Sequence, residues 1–472
     1  MVPGTSCPQG SQWTTLSYTW GEHPAFVKLT AENLIRLADG FPSTLLPPTF
    51  RDAAELCRSI GVHYIWIDSL CILQSGKGST EDWLQHATEM RKVYWNAHLN
   101  ISADWGDSPE SGLFTLRNTG SLRTPLFHFR KGPLVGPVAI GCYQDEMEGY
   151  SDSPLSKRGW VLQERILSPR SIHFCRDQIR WQCSNPPFYK SERFPDGFDF
   201  GFVYPTFRKL STAPSTLELQ SETGTLDYLY VANTYSELCL TYMDTDRYPA
   251  FGAIAEYYCR RFNEDYIAGF LKCHLPLALG WQVGNSPSAS SSDTVSSNRP
   301  PSWSWIKSNV GTGISEAFLR SARSNIGQAE TAVLLSHYVE LVDPDNKYGQ
   351  LKYAELRMRG RLATCVWDTT LDERGYISLK LPEVPFPVYA SRVRFDSFAN
   401  LFHTEREQVK VLVLCTKEHE DRTQIHFIVL EKSNCDATKT FIRIGAGVLE
   451  FEDAHDVVDC VRRLPLHDVV LI

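Results

Sequence analysis

The first hundred residues alternate segments typical of β-strands with segments typical of α-helices, and this order restricts the fold more than any other feature. Strand-like runs lie at 15–19, 64–67 and 99–103, and the first of them ends at a Trp-Gly pair that favours a loop. Between them, apolar residues recur at helical spacing over 49–60 and 81–95. A β-α-β-α-β order predicts a mostly parallel sheet covered by helices.

The same pattern continues to about residue 190. Residues 160–167 have helical spacing that ends before Pro169, and Ile172–Cys175 and Ile179–Cys183 resemble two strands joined by a hairpin turn at 176–178. These segments would complete a first domain.

The rest of the chain differs in composition and in pattern. Apolar residues between Phe251 and Phe262 share one helical face, which predicts a helical middle region. Residues 285–301 contain seven serines and three prolines in 17 residues, so we expect a surface loop without a core. The C-terminal third has strand-like runs at 356–365, 409–415, 425–430 and 440–444. The sequence thus predicts three domains, at 1–190, 191–310 and 311–472.

Charge and composition exclude several classes of protein. The net charge is −8 and no run of five Lys or Arg occurs, so no basic stripe is present for a nucleic-acid backbone. The N-terminus lacks the apolar core of a secretory signal, and no segment has about 18 consecutive apolar residues. The 13 cysteines are scattered and never form a CxxC pair, which favours buried thiols over disulfides or a zinc site. We expect a cytoplasmic protein without a membrane segment.

Common catalytic signatures are absent from the sequence. It contains no GxSxG, HExxH, EF-hand loop or GxGxxG pattern. The segment Ser75–Thr80 resembles a phosphate-binding loop, but Gly78 follows Lys77 where such a loop requires Ser or Thr. A flexible connection to the next helix is the better interpretation.

Three polar clusters interrupt the apolar segments where side chains would face the crevice beyond the strand ends. Ligands of open α/β sheets bind in that crevice. The clusters are Ser17, Tyr18, Trp20 and Gly21; Asp68, Ser69, Cys71 and Gln74; and Arg158, Trp160, Gln163 and Glu164.

Each cluster also has a structural explanation. Trp20 and Trp160 are of a type that more often packs in a core, and Asp68 could cap the turn that follows it. Glu164 could form a structural ion pair with an arginine instead of acting in catalysis. The arginines near it in sequence are Arg158, Arg165 and Arg170.

The order and spacing of these residues resemble the heterokaryon-incompatibility (HET) domain of fungi. The matching blocks are TLSYTWG at 15–21, YIWIDSLCILQ at 64–74, DWLQHATEMRKVYWNAHLNISAD at 82–104 and RGWVLQERILSPR at 158–170, followed by PSWSW at 301–305. The resemblance implies a role in non-self recognition and programmed cell death. It also implies self-association or a second incompatibility protein as partner.

A second resemblance is to TIR domains, which are thought to be distant relatives of HET domains. It rests on LSY in the first strand, Asp68 after the second, LNISAD in the third, and the pattern W-x-x-x-E from Trp160 to Glu164. The implied fold is a TIR-like (flavodoxin-like) sheet with flanking helices, followed by a helical middle region and a β-rich C-terminal region. A long insertion at about 105–155 departs from the TIR pattern.

The TIR resemblance implies an activity. Catalytic TIR domains cleave NAD+ with a glutamate at the position of Glu164. This reaction needs neither a metal nor another cofactor. Nicotinamide departs as a neutral molecule, so one carboxylate could stabilise the oxocarbenium-like transition state. The residues expected to bind substrate are Ser17, Tyr18, Trp20, Gly21, Asp68, Arg158, Trp160 and Gln163.

Two other functions remain open at this point. The chain could be a non-enzymatic interaction module in which these residues only support the fold, or a HET-like scaffold used in small-molecule metabolism. An open pocket at Glu164 would favour an enzyme over an interaction module.

Overall fold

The structure is a computed structural model in which the chain forms two compact units. Unit 1 comprises Met1–Ser215 and Leu238–Leu240, and unit 2 comprises Thr216–Glu237 and Thr241–Ile472. The residues described are 1–117, 119–122, 126–131, 134–139, 152–185, 189–197, 222–283, 300–307, 312–313, 328–371, 377–380, 382, 384, 390–396, 408–418, 422–433, 439–452 and 456–472.

Unit 1 contains a six-stranded sheet and a separate hairpin. Its strands are β1 (Trp13–Ser17), β2 (Tyr64–Trp66), β3 (Leu99–Ser102), β4 (Leu126–Lys131), β5 (Leu134–Ala139), β6 (Arg170–Phe174), β7 (Ile179–Cys183) and β8 (Tyr189–Ser191). The sheet has the order β2-β1-β3-β6-β7-β8, and β4 pairs with β5 alone. The first four strands of the sheet are parallel, whereas β7 and β8 are antiparallel to their neighbours. The predicted mostly parallel sheet is therefore confirmed.

Helices connect the parallel strands as the sequence predicts. They are α1 (Leu34–Ala38), α2 (Pro48–Ser59), α3 (Asp68–Cys71), α4 (Ser79–Trp95) and α5 (Gly159–Leu167). Pro48 occupies the first turn of α2, where a missing N–H has no consequence. The short helix α3 begins directly after β2, at Asp68, so the strand end and the next turn share this carboxylate.

One face of the six-stranded sheet carries the apolar core of unit 1. Leu16 and Ile101 point from neighbouring strands toward Phe50 and Ala53 of α2, and all four side chains are buried. Phe174 extends this core to β6.

The opposite face of the sheet is polar and equally buried. We call it the polar layer. Its members are Thr15, Ser17, Asn100, Ser102, Ser171, His173, Arg180 and Gln182, none more than 2% exposed. Strand pairing sets them side by side, since Thr15 pairs with Asn100 and Asn100 with Ser171. Burial of polar groups costs free energy unless they find partners, so a continuous layer of them is unusual in a structural core.

Unit 2 begins with helices and ends with a large sheet. Its helices are α6 (Glu222–Ser236), α7 (Met243–Asp246), α8 (Pro249–Phe262) and α9 (Asp456–Arg463). Two small antiparallel pairs join β9 (Tyr266–Ile267) to β10 (Phe270–Leu271) and β11 (Gln282–Val283) to β12 (Thr312–Gly313). The predicted helical middle and β-rich C-terminal regions are both present.

The nine-stranded sheet of unit 2 is almost entirely antiparallel. Its strands are β13 (Gln328–Thr331), β14 (Val333–Leu341), β15 (Leu351–Leu371), β16 (Ile377–Lys380), β17 (Ala390–Phe395), β18 (Gln408–Glu418), β19 (Arg422–Lys432), β20 (Thr440–Glu452) and β21 (Leu466–Leu471). The strand β15 pairs with both β16 and β18, which closes the path of strands on itself. Buried residues such as Val411, Phe427 and Leu449 form its core with α9.

The PSWSW segment is buried within unit 2. Ser304 donates to the carbonyl of Ala268 at 2.6 Å, and the indole of Trp305 donates to the carbonyl of Gly269 at 2.6 Å. These carbonyls belong to the two-residue turn between β9 and β10, where Ala268 and Gly269 both have positive φ, 45° and 100°. The segment therefore holds this tight turn in place. The turn is strained at Ala268, because a positive φ is unfavourable for a residue with a side chain.

Two predictions concern residues that remain partly undescribed. The serine-rich loop predicted at 285–301 lies outside the described residues except at its last two positions. The division into three domains stays a prediction.

Within the described part of the chain, no helix has the length and apolar composition needed to cross a membrane.

Candidate functional site

Glu164 lies at the centre of the cluster that the sequence singles out. It is on α5, which starts at Gly159 after the extended residue Arg158, and its side chain points to the polar layer. Ser17 lies 2.5 Å from its Oε2 through a hydroxyl hydrogen bond, and the Tyr94 hydroxyl is a second hydrogen-bonding neighbour. Glu164 is 7% exposed, so it lies at the floor of the site and not on an open surface.

Behind Ser17, the polar layer continues into the sheet. The hydroxyl groups of Thr15 and Ser17 lie 2.9 Å and 3.2 Å from Oδ1 of Asn100. The amide nitrogen of Asn100 has no hydrogen-bond partner among the described residues. Three neighbouring positions of β1 and β3 thus form a hydrogen-bonded row that leads to the Glu164 carboxyl group.

Asp68 is the second carboxyl group of the site. One of its oxygens accepts the indole N–H of Trp20 at 3.0 Å, and the other accepts the backbone N–H of Ser69 at 2.6 Å. The Tyr18 hydroxyl donates to Ser69 at 2.7 Å and lies close enough to interact with Asp68. Asp68 is only half-buried. Its two sequence interpretations are compatible, because it contacts the turn that follows and also faces the site.

Arg158 supplies positive charge near both carboxyl groups. Its guanidinium donates to the backbone carbonyl of Tyr18 at 2.5 Å and attracts both Asp68 and Glu164. Among the described residues, no arginine lies within ion-pairing distance of Glu164. Arg165, the next residue along α5, contacts Asp104 instead.

Burial controls the electrostatics of both carboxyl groups. It raises the pKa of Glu164, an effect that Asp68 adds to and that Ser17, Arg158 and Tyr94 oppose. Burial likewise raises the pKa of Asp68, against the attraction of Arg158. The two groups therefore hold protons more firmly than exposed carboxyls, and the hydroxyl donors and Arg158 favour their ionised forms.

A second charged centre lies beside the first in the polar layer. Asp104 is fully buried, contacts Arg165, and lies 2.8 Å from Nδ1 of His173. Although burial alone would raise it, the charges of Arg165 and His173 lower the pKa of Asp104 to about 2. The other ring nitrogen of His173 lies 3.2 Å from Oε1 of Gln182. This centre anchors α5 to β3 and β6 one residue away from Glu164.

The remaining predicted site residues lie near the rim or in the core. Trp20 and Trp160 are half-buried, and Trp160 packs edge-on against Trp83 with ring centroids 6.5 Å apart. Gly21 has a φ of 80°, and a Cβ there would lie 3.2 Å from Ser108, so this position favours glycine. Gln163 is buried, and its Oε1 has no hydrogen-bond partner among the described residues.

Sequence reasoning missed Tyr94, Asn100 and the Asp104 centre. The signal was available, because polar residues alternate with apolar ones along β1 and β3, as in Thr15-Leu16-Ser17. Such alternation is typical of a sheet with one face in water. Here helices α4 and α5 cover that face, so the same alternation produces a buried polar layer.

Among the described residues, no group of three or more His, Cys, Asp or Glu side chains is arranged to hold a metal ion.

Comparison with known proteins identifies this part of the chain. Residues 13–164 match the family model described as heterokaryon incompatibility protein (HET). The match begins at the first residue of β1 and ends at Glu164. No curated protein and no solved structure matches the chain.

Proposed function

Because residues 13–164 are a HET domain, we propose that this protein acts in fungal heterokaryon incompatibility as a trigger of cell death, and that it does so by cleaving NAD+ at Glu164. Its activation would require self-association or a second incompatibility protein, and NAD+ would be met in the cytoplasm.

The observation that carries the proposal is the position of Glu164 over the polar layer. A carboxyl group that two hydroxyl groups and a nearby arginine support, at the strand ends of a parallel sheet, is poorly explained by packing alone. The strand order also supports it. Counted along the chain, the sheet strands run 2-1-3-4, and flavodoxin-like sheets bind ligands where that order reverses, between the first and third strands. Ser17 and Ser102 pair at that place.

The reaction would use few protein groups. The bond between nicotinamide and ribose breaks with its electron pair going to nicotinamide, which leaves neutral, and water adds to the ribose carbon and releases a proton. The Glu164 carboxylate would stabilise the positive charge that develops on the ribose. Arg158 would attract the diphosphate, and Trp20 or Trp160 would stack on a ring.

A non-enzymatic interaction module is the second candidate. The burial of Glu164, at 7% exposed, favours it, because a carboxylate that cleaves NAD+ has to be reached by the substrate. In that case the polar layer would serve the fold, and partner proteins would bind elsewhere on the HET domain.

The deciding experiment measures NAD+ turnover by the wild type and by variants of Glu164 and of a control residue. Purified protein at several concentrations is incubated with NAD+, and released nicotinamide is measured by chromatography. Glu164→Gln should lower turnover by about 100-fold to 1,000-fold, since it removes a preorganised charge. The matched control is Glu55→Gln, an exposed glutamate on α2. Equal turnover in wild type and Glu164→Gln would remove Glu164 from the mechanism, and no turnover in the wild type at any concentration would leave the interaction module.

A further inference from the structure

We propose that Tyr94 and Asn100 are positioning residues that hold Glu164 as an oriented carboxylate, Asn100 acting through Ser17. The catalytic consequence rests on the proposed NAD+ cleavage. The effect on Glu164 itself does not, because it is a property of the folded chain.

Tyr94 is placed rigidly beside Glu164. It lies in the last turn of α4, is 2% exposed, and its ring packs edge-on against Trp66 with centroids 5.6 Å apart. Its hydroxyl is within hydrogen-bonding reach of both Glu164 and Ser17. Burial raises the pKa of Tyr94 well above its usual value, so the hydroxyl keeps its proton and can donate it to the carboxylate.

The role of Asn100 follows from counting protons. The Ser17 hydroxyl has one proton, yet acceptor oxygens of both Glu164 and Asn100 lie within reach. The Thr15 hydroxyl also faces the same amide oxygen, while the amide nitrogen has no partner among the described residues. With Glu164 ionised, turning the amide by 180° removes this conflict. The nitrogen then donates to the oxygens of Thr15 and Ser17, and Ser17 gives its proton to Glu164.

In that arrangement the donors all point toward the carboxyl group. The Asn100 amide donates to Ser17, Ser17 donates to Glu164, and the Tyr94 hydroxyl is a further donor to Glu164. Each bond polarises the next, and the chain favours the ionised form of Glu164 against burial and the nearby Asp68. Arg158 also acts on Glu164, and its attraction has the same sign as that of the donors.

The test measures the ionisation of Glu164 directly. Infrared difference spectra across pH follow the protonated-carboxyl band that Glu164→Gln abolishes, and give its pKa without any substrate. Tyr94→Phe keeps the ring and removes one donor, so the Glu164 pKa should rise by about one unit. Asn100→Asp removes the amide donor and adds a negative charge, so the rise should be larger. The control is Tyr64→Phe, a half-buried tyrosine on the same sheet face in β2.

The pH profile of NAD+ turnover gives the second readout. With Tyr94→Phe, the acidic limb should move to higher pH by the same amount as the pKa. An unchanged Glu164 pKa in Tyr94→Phe, or an equal rise in Tyr64→Phe, would overturn the proposal. If the pKa shifts while the wild type releases no nicotinamide, the positioning role stands and the proposed NAD+ activity fails.

Discussion

Asp104 connects separate elements of unit 1 through its side chain. It is fully buried, and its partners Arg165 and His173 come from α5 and β6, so one carboxylate links a helix to two strands. Removing one partner of a buried ion pair leaves the other charge uncompensated. Asp104→Asn should therefore lower the free energy of unfolding by about 3–5 kcal/mol, as measured by denaturant titration. A loss below about 1 kcal/mol would mean that Arg165 and His173 find other partners.

The same carboxyl group predicts how stability depends on pH. Its pKa in the folded chain is about 2, below the usual value of 3.8. A lowered pKa stabilises the fold at pH values above the unfolded pKa, and this contribution disappears as the pH falls from about 4 to about 2. Wild-type stability should fall through this window. Asp104→Asn should lack this part of the loss, which a comparison of their unfolding free energies at pH 5 and pH 2.5 would measure.

Glu164 should affect the pH dependence of stability in the opposite direction. Its pKa is raised, so its ionisation opposes folding once the pH exceeds the usual pKa of a glutamate. Glu164→Gln should melt at the same temperature as the wild type or higher at pH 8, and the difference should vanish near pH 4. A variant that melts several degrees lower at pH 8 would instead point to a stabilising buried pair, the alternative that the sequence left open.

The sequence predicted those residues of the site that are polar or charged where the surrounding strand or helix is apolar. Ser17, Asp68, Arg158 and Glu164 interrupt apolar runs, and the structure brings them together. Asn100 gave no comparable signal, because a polar residue in an alternating strand suggests contact with water. Only the packing of α4 against that face reveals its burial, and no local pattern encodes such packing.

At the scale of elements, strands and helices of unit 1 were predictable because their periodicities differ. The predicted helix at 49–60 matches Pro48–Ser59, and the strand predicted at 15–19 starts two residues earlier, at Trp13. The role of PSWSW was not predictable, since its partners Ala268 and Gly269 lie more than 30 residues away in an unremarkable segment.

The PSWSW segment allows a test of one hydrogen bond. Ser304→Ala removes the donor to the carbonyl of Ala268 in the β9–β10 turn, and leaves that buried oxygen without this partner. We expect a loss of about 1–3 kcal/mol in the free energy of unfolding. Ser336→Ala, at an exposed serine of β14, is the matched control and should change stability by less than about 0.5 kcal/mol. Similar losses in both variants would contradict an anchoring role.

The serine-rich segment carries a prediction from composition alone. Deleting residues 286–299 should leave the melting temperature within a few degrees of the wild type, because the segment offers no apolar anchor. Differential scanning calorimetry of the shortened chain would measure this. A large loss of stability would show that these residues pack against the fold.

At the scale of the whole molecule, unit 1 is not continuous in sequence. Leu238–Leu240 belong to it, and Cys239 exchanges backbone hydrogen bonds with residues at the start of α5: its N–H donates to Lys157 at 2.7 Å and its carbonyl accepts from Gly159 at 2.8 Å. Cys239→Pro removes one of these donors and should lower the free energy of unfolding by about 1–3 kcal/mol. Cys239→Ala keeps the backbone N–H and serves as control, so equal stability of the two variants would argue against the contact.

This remote segment bears on how such a domain could be exchanged between proteins. A recombination event that transfers residues 1–190 would carry every carboxyl group of the site, but would leave behind the three residues that pair beside Arg158. Gly159 shows how closely this segment packs at the start of α5, because a Cβ there would lie 2.6 Å from Cδ2 of Leu240. Inheritance of the site with all its contacts therefore requires a breakpoint beyond residue 240, well past residue 164, where the family match ends.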